Sequence, residues 1–74
     1  MTLYQLLEVI DPLDDVAIFS TAPYPSIKEK GKNEDVFMKL VKARSPLLNL
    51  QVFWIGHGEK WIAIRIPNVG GEQQ

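Results

Sequence analysis

The chain has 74 residues, enough for one domain and too few for two. Hydrophobic residues make up 46% and charged residues 23%, which fits a globular chain and not a disordered one. There is no cysteine, so disulfides, thiolate metal sites and a cysteine nucleophile are excluded, and the net charge of −1 sets it apart from strongly basic nucleic-acid binders.

The charge is unevenly spread. Residues 1–19 hold Glu8, Asp11, Asp14 and Asp15 with no basic partner, whereas 28–44 hold six basic and three acidic side chains. The opening MTLYQLLEVIDPLDD has no basic region and meets acids within eleven residues, unlike a secretory signal. Together with the lack of cysteine, this sets the expectation of a cytoplasmic protein with no membrane association.

Leu3, Leu6, Leu7 and Ile10 form one apolar stripe at helical spacing. Thr2 and Gln5 have capping-box spacing ahead of it, and Pro12 ends the helix near Ile10. Val16-Ala17-Ile18-Phe19 then reads as a short strand. Residues 20–33, with two prolines, a glycine and three lysines, read as a long loop. The second helix is expected over 34–44, with Asn33 as N-cap, acids in its first turn, bases in its last, and Val36, Phe37, Leu40 and Val41 facing the core. Pro46 stops it. Strands over 49–55 and 60–66 complete the domain, and 69–74 reads as a flexible tail.

Those last two strands flank Gly56-His57-Gly58. A two-residue turn at His57-Gly58 and a three-residue turn are both compatible with the glycines. The three-residue turn is preferred because it gathers Leu50, Val52, Trp54, Ile62, Ile64 and Ile66 on one face. The other face then shows Gln51, Phe53, Trp61, Ala63 and Arg65. The fold expected is α+β, in the order α-β-α-β-β, with two helices on one face of a three-stranded, largely antiparallel sheet.

No catalytic constellation can be assembled. His57 is the single histidine, the serines sit in no nucleophile motif, and Gly56-x-Gly58 lacks the third glycine of a dinucleotide loop. No metal, cofactor or small-molecule substrate is expected, and the chain is not expected to be an enzyme. The function expected is interaction with a protein, or with itself as a homodimer, through Phe19, Phe53, Trp61 and Arg65 on a sheet face that no third helix covers. The alternative is nucleic-acid binding through Lys28, Lys30, Lys32, Lys39, Lys42 and Arg44.

The layout of MTLYQLLEVID, DDVAIF, LLNLQVFWI and KWIAIRI resembles that of short proteins common in phages, prophages and mobile elements of Gram-positive bacteria. That resemblance implies a small α+β domain, and it brings no catalytic or binding residues with it.

Overall fold

A computed structural model describes residues 1–20 and 27–67. The elements run α1 (Leu3–Val9), β1 (Asp15–Ser20), β2 (Ile27–Lys32), α2 (Asn33–Lys42), a short 3-10 turn (Pro46–Asn49), β3 (Trp54–His57) and β4 (Ile62–Ile66). The class is α+β with two helices, as the sequence suggests. The sheet, however, has four strands in the order β2-β1-β4-β3 and is mixed. β1 pairs antiparallel with β2 but parallel with β4, and β4 pairs antiparallel with β3.

The additional strand comes from the stretch read as a loop. IKEKGK has no apolar alternation and low β-propensity, so nothing local marks it as a strand. It forms because the edge of β1 offers it a partner. Register runs from Asp15 opposite Lys32 to Phe19 opposite Ile27, with an irregularity between Ile18 and Phe19. Gly31, at φ +146°, takes a backbone shape closed to other residues just before α2 begins. The centre of the expected loop and the expected tail at 69–74 lie outside the described residues.

Helix α1 starts as its sequence dictates. The Gln5 amide donates to the Thr2 hydroxyl at 3.2 Å, and the Thr2 amide donates to the Gln5 side-chain oxygen at 2.9 Å. Helix α2 is different. Its N-cap is Lys32, and Asn33 is its first helical residue. The Asn33 carboxamide is buried and donates from Nδ2 to the Leu7 and Ile10 carbonyls, both at 2.9 Å. It satisfies acceptors at the end of α1 that the chain turn would otherwise leave open. Helix α2 also ends before Pro46 takes effect. Arg44 turns left-handed at φ 51°, while the Ser45 amide reaches Leu40 and the Arg44 amide reaches Val41, both at 3.0 Å. This is a Schellman closure with arginine where glycine is usual.

Leu3, Leu6, Leu7, Val36, Leu40 and Leu48 from the helical side meet Val16, Ile18, Ile64 and Ile66 from the sheet to form the core. Val41, expected to be buried, is exposed. The stretch expected as a strand from 49 to 55 begins instead in the 3-10 turn, and Thr2 bridges to Gln51 before β3 starts at Trp54.

Candidate functional site

The hairpin register decides what the outer sheet face carries. Trp54 opposes Arg65, Ile55 opposes Ile64, Gly56 opposes Ala63 and His57 opposes Ile62. The connection is therefore four residues, Gly58 to Trp61, closed by the Gly58 amide on the Trp61 carbonyl at 2.8 Å. The expected three-residue turn is incorrect. It paired Phe53 with Trp61, and the observed pairing is displaced by an odd number of residues, which exchanges the faces of β3. Gly58 favours the longer loop because a Cβ there would lie 3.2 Å from the Trp61 carbonyl.

Trp54 consequently leaves the core and joins the outer face. Its indole lies over Gly56, two residues along, where a Cβ would stand 1.9 Å from the ring. Arg65 sits between two rings. Its guanidinium carbon is 5.4 Å from the Trp54 ring centroid and 6.0 Å from that of Phe19. Register explains the row, because Arg65 opposes Phe19 on one side and Trp54 on the other. A second stack lies beside it. Lys30 Nζ is 4.2 Å from the Trp61 ring centroid. Lys30 is on β2 and Trp61 precedes β4, so the indole reaches across β1. Ala17, which opposes Lys30, is completely buried. Such cation–ring contacts contribute about 0.5–1 kcal/mol each at exposed sites.

The structure thus brings Phe19, Trp61 and Arg65 of the expected set onto one face and adds Trp54 and Lys30 to them. Phe53 lies just before β3; its amide donates to the Arg65 carbonyl at 2.7 Å and its side chain is 73% exposed. The glycine two residues after Trp54 is the sequence signal that could have placed that indole outside.

The basic residues of the alternative set are not brought together. Lys28, Lys30 and Lys32 lie on the edge strand β2. Lys39 is on α2, on the other side of the sheet, and pairs with Glu29 at 3.1 Å. Lys42 closes α2, and Arg44 forms its left-handed end.

Hollows lie elsewhere among the described residues. An apolar groove of about 510 Å³ runs between α1 and α2, past Tyr4, Leu7, Phe37 and Met38. Two of its lining rings, Tyr4 and Phe37, meet edge to face with their centroids 5.2 Å apart. A smaller polar hollow of about 120 Å³ brings His57 near Asp14, Asp15 and Glu59. Among the described residues no three metal-ligating groups converge, and no helix is long and apolar enough to cross a membrane.

Compared with protein-family models, curated proteins and solved structures, the chain has no match in any of the three.

Proposed function

We propose that the chain is a non-enzymatic binding module whose outer sheet face holds a protein partner bearing acidic side chains. The observation that carries this reading is the placement of Arg65 between Phe19 and Trp54, beside the Lys30–Trp61 stack, on a face that neither helix covers. Trp and Arg are the residues most enriched where interfaces concentrate their energy. Here Trp54 and Arg65 are held by register on strands, so little of their side-chain freedom is lost on binding. The charge favours a foreign partner over a second copy on this face. Two copies laid face to face would bring like charges together, whereas a carboxylate could meet Arg65 in a bidentate pair. The Cys-free composition supports a cytoplasmic setting, and the layout shared with small phage proteins supports an origin in a mobile element.

The test is capture of partners from a host lysate, followed by affinity measurement with the identified partner. Trp61→Ala and Arg65→Ala are each expected to weaken binding by about tenfold or more, as for hot-spot truncations. Lys42→Ala on α2 is the control and should leave it unchanged. Equal affinity for all three variants would remove the reading.

A second reading is favoured by the same alternation of cations and rings, which also suits the phosphates and bases of a single strand. Titration with a single-stranded oligonucleotide distinguishes the two. Nucleic-acid binding should fall steeply with added salt and should need Lys30 as well as Arg65.

A further inference from the structure

The two edges of the sheet are chemically unlike, and that difference points to a second binding surface. β2 forms one edge, with sequence IKEKGK, three lysines and a register irregularity against β1. Lysines and bulges are the usual means by which an edge strand avoids pairing with another chain. β3 forms the other edge, with sequence WIGH and no Asp, Glu, Lys or Arg. It has neither proline nor register irregularity, and among the described residues nothing pairs with its outer side. Apolar side chains stand exposed on both of its faces. Trp54 is 48% exposed on the outer face, and Ile55 is 49% exposed on the helix side. Phe53, just before the strand, is more exposed still.

We infer that β3 is the site of self-association, pairing antiparallel with β3 of a second copy about a two-fold axis at Ile55. A two-fold axis perpendicular to a sheet makes the paired strands antiparallel and places one residue opposite its own image. That residue must tolerate itself. Ile55 does, since two isoleucines meet as an apolar cross-strand pair. In this register Trp54 comes opposite Gly56 of the second copy, over which that copy's own Trp54 indole lies, so the two indoles come side by side on the outer face. A pairing through β2 fails the same requirement, because lysines near its centre would face lysines. The result is one continuous eight-stranded sheet with the helices of both copies on the same side. The paired edge is only four residues long. It falls well short of the roughly 800 Å² per partner of a standard interface, so the dimer is weak and concentration-dependent.

This inference stands apart from the proposed function, since the edge leaves Arg65, Trp61 and Lys30 uncovered. The test uses the cysteine-free chain directly. Directly opposed residues have Cβ atoms about 4.5–5.5 Å apart, close to what a disulfide needs after a small adjustment. Ile55→Cys should therefore give an inter-chain disulfide under mild oxidation. Lys30→Cys on the other edge and Val9→Cys on α1 should stay mostly monomeric at the same concentration. Light scattering on the cysteine-free chain should show mass rising toward the dimer with concentration. Phe53→Lys, an exposed position where folding is not at stake, should lower the association constant about tenfold, while Val9→Lys leaves it unchanged. A constant monomer mass over the whole range overturns the inference. So does a dimer that survives Phe53→Lys and cross-links equally well at all three cysteine positions.

Discussion

Three residues carry local decisions whose effects can be measured singly. Gly56 is the floor on which the Trp54 indole rests. Adding one methyl in Gly56→Ala must swing the ring away from the sheet and break its alignment with Arg65. The variant should fold, show altered tryptophan emission, and lose affinity for any partner of the outer face. Arg44 sits in left-handed backbone at the end of α2. A side chain there costs about 1 kcal/mol that glycine does not. Arg44→Gly is expected to raise the denaturation midpoint, with a net gain somewhat below that figure because glycine also loosens the unfolded chain. Asn33 works in the opposite sense. Its two hydrogen bonds satisfy carbonyls at the end of α1. Asn33→Ala leaves those acceptors unpaired in a buried place and should cost about 2 kcal/mol in urea unfolding. At the sequence level Asn33 looked like a helix cap, because asparagine before two acids and an apolar stripe has that pattern. Its use as a long-range tie depends on where α1 ends in space, and no local spacing encodes that.

The elements divide by how much of their stabilisation is local. α1 was readable to within a residue, since its cap and its stripe both lie inside MTLYQLLEVI. α2 was readable from its dipole charges and buried Val36 and Leu40, although its ends were not. β1 and β4 show themselves through branched and apolar runs. β2 was invisible for the same reason that it suits an edge. Its lysines give it no apolar period, and its strand conformation comes entirely from pairing with β1. β3 and its turn were half readable. The glycines announced a hairpin, but turn length fixes register, and two glycines either side of His57 allow several lengths. That single ambiguity moved Trp54 from core to surface. Three of the four expected interface residues nevertheless lie on the outer face, because Phe19, Trp61 and Arg65 belong to strands β1 and β4 or border them, and the parallel pairing there aligns Phe19 with Arg65.

For the whole molecule, the centre of the sheet is the strand pairing of longest span. β1 and β4 are neighbours in space although β2, α2 and β3 lie between them in the chain. Pairing across so long a loop slows folding relative to helical bundles of this size, so refolding should take milliseconds or longer. Ile64 is fully buried at that seam, and Ile64→Val should cost about 1 kcal/mol. If the β1–β4 pair forms in the transition state, the loss should appear mainly as slower folding in stopped-flow chevrons, while Leu48→Ala in the 3-10 turn speeds unfolding.

The same pairing has a consequence during synthesis. Ribosomes add about 5–20 residues per second, so several seconds separate the emergence of β1 from that of β4. Throughout that interval Val16, Ala17 and Ile18, all fully buried in the finished sheet, have no β4 to lie against. β2 can join β1 early and block one side of it with lysine. The other side stays open until the last strand arrives, and a chain cut short before Ile62 would keep it open for good. Nascent chains stalled at that length should be the ones that chaperones hold, and release should follow once β4 is out.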